Sequence, residues 1–117
     1  MRMTEITYSE SRPVDGYGPG FFRIAGEVVE GAVTILPDGI RGWGGFKDTT
    51  TLLAAVPDID VLFVGTGAEI AHIPSDFRGC LEEAGVWVEI MSSPAACRTY
   101  NVLLSEGRRV GLALLPV

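Results

Sequence analysis

The sequence predicts an α/β fold: a single three-layer domain whose mixed central sheet consists of an N-terminal β-hairpin followed by a βαβαβ unit. Two observations carry this prediction. From residue 59 onward, short apolar runs alternate with amphipathic segments of helical period, a pattern typical of strands alternating with helices. Before that point, the turn signal Pro37-Asp38-Gly39 separates two β-like stretches. Because 117 residues is the size of one domain, we expect a single domain over residues 1–117.

The first part of the chain is predicted to form β structure after an irregular start. Residues 1–20 are polar and contain several glycines and prolines, and we expect an irregular lead-in there. Residues 21–24 begin the β region, and residues 27–36 alternate as one strand. Pro37-Asp38-Gly39 then predicts a tight turn, because proline fixes φ, aspartate bonds nearby backbone and glycine accepts positive φ. Residues 40–43 return as the partner strand.

A short helix and an apolar strand come next. Asp48 is a candidate N-cap for a helix over residues 49–56, which Pro57 is expected to end. Residues 59–64 are almost continuously apolar apart from Asp60. Such a run is typical of a strand that is covered on both faces, as in the middle of an α/β sheet.

The last part of the chain completes the βαβαβ unit. Ser75 is a candidate cap for a helix that ends at Gly85, and residues 86–91 form the next strand. Ser93 is predicted to be the N-cap of a helix over residues 94–106, because a proline follows it at the first helical position. Residues 110–115 are the final apolar strand, whose direction the pattern leaves open.

The composition excludes several classes of function. The net charge is −6 and the nine basic residues are scattered, which argues against nucleic acid as a partner. No apolar run approaches the length of a membrane span. The N-terminus has neither a signal-peptide nor a transit-peptide pattern, and Cys80 and Cys97 lack the spacing of a metal or redox motif. We therefore expect a cytoplasmic protein with two free thiols.

The hydrophobic content is high for a small domain. Hydrophobic residues make up 47% of the chain, and the mean hydropathy is +0.30. Two interpretations compete: a strongly buried central sheet, or an apolar patch that a partner covers. We expect both to hold, and hence a protein partner or a homo-oligomer.

Gly65, Thr66 and Gly67 form the first candidate site. They follow an apolar strand, and the start of the helix at Ser93 follows the next strand. In open α/β sheets ligands bind beyond the carboxyl ends of the strands, where helix N-termini offer free N–H groups. The two features predict a crevice for a small anion. The alternative interpretation is a tight strand exit, since the loop matches neither the dinucleotide-binding glycine pattern nor the P-loop.

The helix over residues 94–106 offers a second candidate surface. Most of its circumference is apolar, and the narrow polar face consists of Arg98, Asn101 and Ser105. Arg98 and Asn101 are either the solvent face of this helix or a contact face for a ligand or partner.

No catalytic constellation is evident in the sequence. His72 is the only histidine, and its neighbours Glu69 and Asp76 do not make a metal-ligand pattern. Cys97 lies one turn into a helix without a matching base, which favours an inert thiol over a nucleophile. We expect no enzyme activity, no metal and no cofactor.

Three segments carry a resemblance to a known family. These are residues 62–67, residues 85–91 and, above all, the long run from Ala95 to Val110; Pro37-Asp38-Gly39 and Trp43 extend the likeness over nearly the whole chain. The sequence resembles the family that includes mitochondrial NADH dehydrogenase (complex I) assembly factor 3 and its bacterial and archaeal relatives.

The resemblance implies a three-layer α/β domain with a mixed sheet. For the mitochondrial member it also implies a non-enzymatic role in the assembly of a respiratory complex, and it supplies no catalytic residues to carry over. The leading hypothesis is therefore a non-catalytic interaction protein that works near an inner-membrane complex. The alternative is a small-molecule or anion-binding domain, with or without enzyme activity, at Gly65–Gly67 and Ser93.

Overall fold

The computed structural model describes residues 11–117, which form two sheets and three helices. The strands are β1 Val14–Gly18, β2 Phe21–Ile24, β3 Glu27–Glu30, β4 Val33–Leu36, β5 Gly39–Gly42, β6 Val61–Gly65, β7 Trp87–Met91 and β8 Val110–Leu114. The helices are α1 Thr50–Ala55, which continues as a 3₁₀ turn over Val56–Asp58, α2 Ser75–Glu83 and α3 Ser93–Ser105. Within the described range no helix is both long and apolar enough to cross a membrane.

The central sheet has five strands in the order β5-β4-β8-β6-β7. β6, β7 and β8 run parallel, whereas β4 is antiparallel to both β5 and β8. The last strand of the chain thus occupies the middle of the sheet, and all five of its residues are buried. This arrangement confirms the predicted mixed sheet, in which a hairpin joins a βαβαβ unit.

The sheet is covered on both faces, which gives the three layers. On one face, α3 and the antiparallel sheet β1-β2-β3 share a core with β4 and β8 that includes Phe22, Ile35, Tyr100 and Leu112. The other face is covered by α1 and α2 through a second core that includes Leu52, Phe77 and Leu81. Burial of these apolar side chains on both faces is the main force that holds the layers together.

The predicted hairpin is present, but the strand before it is shorter than expected. β4 pairs with β5 through Leu36 and Gly39, which confirms the turn at Pro37-Asp38-Gly39. The prediction of a single strand over residues 27–36 is wrong. Gly31 adopts φ +81°, a left-handed conformation that glycine tolerates and that turns the chain. β3 therefore ends at Glu30, and β4 continues in the other sheet.

The predicted lead-in and two helix caps also need correction. Within residues 1–20, Val14–Gly18 is a strand that pairs with β2, while residues 1–10 lie outside the described range. Asp48 does not cap α1, because its carboxylate accepts a 2.9 Å hydrogen bond from the Gly44 N–H and Thr49 takes the N-cap position. Pro74, not Ser75, is the N-cap of α2.

Candidate functional site

The first predicted site lies where the parallel strands β6, β7 and β8 end. The Ser93 N–H donates to the Gly67 carbonyl at 2.7 Å, and the Gly67 N–H donates to Ser93 Oγ at 2.9 Å. Ser93 Oγ in turn donates to the Leu115 carbonyl at 2.6 Å. We call these residues, together with Gly65, the Ser93 junction. Its hydrogen bonds join the ends of two strands to the start of α3, so the Ser93 hydroxyl and the Gly67 N–H already have partners.

Gly65 is placed where no larger residue fits. A Cβ atom there would lie 2.7 Å from the Cα and from the Oγ of Ser93, and equally close to a methyl group of Leu114. Real Cβ atoms do not approach other heavy atoms so closely. The absence of a side chain at Gly65 therefore lets α3 begin directly against the end of β6.

Thr66 organises the loop that leaves β6. Its N–H donates to the Met91 carbonyl at 2.9 Å, which extends the pairing with β7 by one residue. Its hydroxyl donates to the Glu69 carbonyl at 2.8 Å and accepts from the Ala71 N–H at 2.9 Å. The side chain thus satisfies backbone groups of its own loop, as threonine commonly does in turns.

The start of α3 differs from the prediction by one residue. Ser92, not Ser93, is the N-cap, and its hydroxyl accepts from the Ala95 N–H at 3.3 Å. Proline is tolerated throughout the first helical turn, because those N–H groups have no partner within the helix. Pro94 is therefore compatible with either serine as the cap, and the contacts of Ser93 with Gly67 and Leu115 decide between them.

The predicted polar face of α3 is divided between two environments. Asn101 faces β1: its side-chain carbonyl accepts from the Val14 N–H and its amide donates to the Val14 carbonyl, both at 2.8 Å. The Ser105 hydroxyl donates to the Val102 carbonyl of its own helix. Arg98 is exposed. Asn101 therefore attaches the small sheet to α3, and Arg98 remains as the accessible charge.

The structure thus brings together four of the six predicted site residues. Gly65, Thr66, Gly67 and Ser93 meet at the strand ends, as their positions after parallel strands predicted. Arg98 and Asn101 lie more than one and more than two turns further along α3, so they do not belong to the same cluster.

Cys97 is buried in the core beneath α3. Burial raises the pKa of its thiol from 9.0 to about 12, and the nearby charge of Arg98 acts in the opposite direction. At neutral pH the thiol is therefore protonated, whereas a nucleophilic cysteine needs the thiolate. His72 is exposed, and no group of histidine, cysteine and carboxylate side chains within residues 11–117 has the arrangement of a metal site.

The burial of Cys97 predicts how stability depends on pH. A thiol that ionises near pH 9 when unfolded but near pH 12 when folded contributes stability that is fully present below pH 9 and is lost as the pH rises towards 12. In that window the group lowers the free energy of unfolding by up to about 1.4 kcal/mol per pH unit. Urea unfolding at about pH 8 and about pH 10.5 should show a smaller decrease for Cys97→Ala than for the wild type. Equal decreases would contradict the prediction.

Residues 14–115 match the family described as "Protein of unknown function (DUF498/DUF598)". This match covers the whole of the fold from β1 to β8. The chain belongs to the DUF498/DUF598 family. The resemblance that the sequence motifs carried is thereby confirmed.

Similar proteins occur in bacteria and animals. An uncharacterised protein of Rhodobacter capsulatus is 50% identical over 117 residues, which are 100% of this chain and 94% of that protein. Human NADH dehydrogenase [ubiquinone] 1 alpha subcomplex assembly factor 3 is 33% identical over 110 residues, covering 88% of this chain and 60% of that protein. The chain therefore spans less than two thirds of the human relative's length.

A solved structure that is similar in sequence has the same fold. The crystal structure of a Bartonella henselae protein, described as an outer membrane protein, superimposes with a TM-score of 0.86 at 36% identity. The superposition covers 92% of this chain and 97% of that chain. The fold of this chain is thus shared with that protein over nearly its whole length.

Sequence reasoning missed the three most exposed of the large apolar side chains among residues 11–117 of this DUF498/DUF598 protein. Ile70 is 66% exposed, Trp87 60% and Val102 55%. Ile70 borders a cavity of about 260 Å³, which Ala71, His72 and Ile90 also line. Trp87 lies at the start of β7, which is an edge strand of the central sheet. The high hydrophobic content indicated an apolar surface, but nothing in the sequence distinguished these side chains from the buried ones.

Proposed function

We propose that this protein is a non-catalytic interaction protein that assists the assembly of a respiratory NADH dehydrogenase. The likeness to assembly factor 3 over 88% of this chain supports the assembly role. The hydrogen bonds of the candidate polar groups favour an interaction role over catalysis or ligand binding. The Ser93 hydroxyl, the Gly67 N–H and the Asn101 amide all bond within the fold, whereas apolar side chains are exposed.

We propose Arg98 as the partner contact among the predicted site residues. It is the one member of the six whose side chain is exposed. Val102, one turn further along α3, is exposed beside it, and both line a shallow cavity of about 280 Å³ with Thr99 and Leu103. A guanidinium next to an apolar surface is typical of protein interfaces, in which arginine is enriched.

We further propose that the protein acts in the cytoplasm, close to the inner-membrane complex. Cys80 and Cys97 are both free thiols, which fits a reducing compartment. The net charge of −6 disfavours direct adsorption to anionic lipid, so the partner is proposed to be a protein subunit and not the bilayer.

Deletion of the gene tests the assembly role in the cell. We expect membranes of the deletion strain to lose most of their NADH oxidation, while succinate oxidation, which bypasses the NADH dehydrogenase, stays at the wild-type rate. Complementation with Cys97→Ala should restore NADH oxidation because no thiol chemistry is needed, whereas Arg98→Glu should restore it only weakly. NADH oxidation at the wild-type rate in the deletion strain would refute the assembly role. If a stably folded Cys97→Ala protein failed to restore NADH oxidation, the proposal that the protein is non-catalytic would be refuted.

A further inference from the structure

We propose that β7 pairs with β7 of a second copy of this chain, so that two central sheets join into one continuous sheet across a two-fold axis. This inference goes beyond the assembly role and does not depend on it. It rests on the free edge of β7, the residues that a two-fold axis would bring opposite one another, and the charges of the neighbouring helix.

The backbone of β7 offers hydrogen-bonding groups on its outer side. Among residues 11–117, β7 pairs with β6 alone. The Trp87 N–H donates to the Asp60 carbonyl and the Met91 carbonyl accepts from Thr66, so the groups of these residues point towards β6. Because successive residues of a strand direct their backbone groups to opposite sides, those of Val88 and Ile90 point outward. Arg78 contacts the Val88 carbonyl at 3.2 Å, and the outward groups of Ile90 have no partner among residues 11–117.

The side chains determine which register a symmetric pair can take. An axis centred on Glu89 would place two carboxylates directly opposite each other, which is unfavourable. An axis centred on Val88 instead places Trp87 opposite Glu89 of the partner subunit. The indole Nε1 already donates to Glu89 Oε1 within the chain at 2.9 Å, so the two side chains are matched partners. This register also allows the Ile90 N–H to donate to the carbonyl of Val86 of the partner subunit.

α2 supplies the second part of the interface. Arg78 reaches the Val88 carbonyl, which shows that this side of α2 faces the edge of the sheet. Arg78 also forms an ion pair with Glu82 at 3.3 Å, and both side chains are about two-fifths exposed. The axis would bring two copies of α2 side by side, with the Arg78–Glu82 ion pair of each copy near the contact. The Val88 carbonyl has two lone pairs and can accept from Arg78 and from the second strand together.

Exposed apolar surface at the other end of β7 completes the contact. Ile70 and Ile90 line the same cavity beside this edge. Pairing of Ile90 with Val86 of the partner subunit would place the turn between α2 and β7 of that subunit over this cavity. A stable interface covers roughly 800 Å² per partner, which one short strand edge does not supply. In the proposed dimer, burial of Trp87 and Ile70 and the contact between the helices add to the area of the strand edge.

Sedimentation velocity on the purified protein tests the dimer. We expect the wild type at micromolar concentration to have twice the 12.5 kDa mass of one chain. Trp87→Glu places carboxylates opposite Glu89 and should weaken dimerisation by about tenfold or more. The matched control Val102→Glu, at a comparably exposed site on α3, should leave the dimer intact. A monomeric wild type, or a Trp87→Glu variant that dimerises as tightly as the wild type, would overturn the proposal.

Disulfide cross-linking tests the register separately. In a Cys80→Ala background, the double variant Trp87→Cys/Glu89→Cys should form covalent dimers on mild oxidation, because these positions face each other across the axis. Glu89→Cys alone should not cross-link, since its two copies lie diagonally and beyond disulfide reach. Efficient cross-linking of Glu89→Cys alone would refute the Val88-centred register. Both assays use purified protein, so their failure is distinguishable from failure of the assembly role, which is measured on membranes.

Discussion

Replacing Gly65 with alanine should destabilise the fold by about 3 kcal/mol. The new Cβ would lie 2.7 Å from Ser93 Cα, an atom of the backbone that cannot rotate away as a side-chain terminus can. Relief requires α3 to move away from β6, and that movement would weaken the hydrogen bonds of Ser93 with Gly67 and Leu115. Urea unfolding, monitored by the fluorescence of the buried Trp43, should report a midpoint shifted to lower denaturant.

Gly42→Ala is the matched control for this substitution. Gly42 is also a strand glycine, it lies in β5, and no atom lies within 4 Å of the position that its Cβ would take. Without a steric conflict, the change should leave stability nearly unaltered or raise it slightly, because alanine restricts the unfolded chain. If the two alanine variants unfold at the same urea concentration, close packing at the Ser93 junction is not what selects glycine at position 65.

The parts of the fold that local patterns determine could be predicted from the sequence. The turn at Pro37-Asp38-Gly39 follows from the φ preferences of its three residues, and the alternation of strands and helices after residue 59 follows from hydrophobic periodicity. The convergence of Gly65–Gly67 with Ser93 was also predictable, because the carboxyl ends of parallel strands meet at one edge of a sheet.

Other features depend on contacts between distant residues and left no local signal. Asn101 forms hydrogen bonds with Val14, 87 positions away. The sequence predicted it on the polar face of a helix, but its side chain pairs with the backbone of β1 as a neighbouring strand would. Residues 27–36 were predicted as one strand, but the chain breaks at Gly31 and β3 and β4 join different sheets. The central position of β8 likewise results from its pairing with both β4 and β6.

The role of the candidate site was harder to predict than its location. Spacing indicated which groups would meet, but not whether they would bind an anion or form hydrogen bonds with one another. At the junction the Ser93 hydroxyl takes the position at which a ligand oxygen would otherwise accept from the Gly67 N–H. The same residues that suggested a ligand crevice therefore connect the strands to α3.

The two adjacent serines give the sharpest test of that connecting role. Ser93→Ala should destabilise the protein by about 3 kcal/mol, because the buried Gly67 N–H and the partly buried Leu115 carbonyl would both lose their partner. Ser92→Ala removes only the N-cap bond to Ala95 and should cost about 1 kcal/mol. Both variants replace one serine with alanine at adjacent positions, so the two proteins have the same composition.

Urea unfolding of the two variants under the same conditions measures this difference. The size of the loss at Ser93 is the informative result: a serine that acted only as a cap would cost about 1 kcal/mol when replaced, whereas loss of both junction hydrogen bonds costs about 3 kcal/mol. Equal midpoints would mean that water replaces the lost hydroxyl at the junction and satisfies both backbone groups. In that case the Ser93→Ala variant would hold a water molecule where the hydroxyl had been. In the native protein, the close packing of Ser93 against Gly65 argues against space for a water molecule at this position.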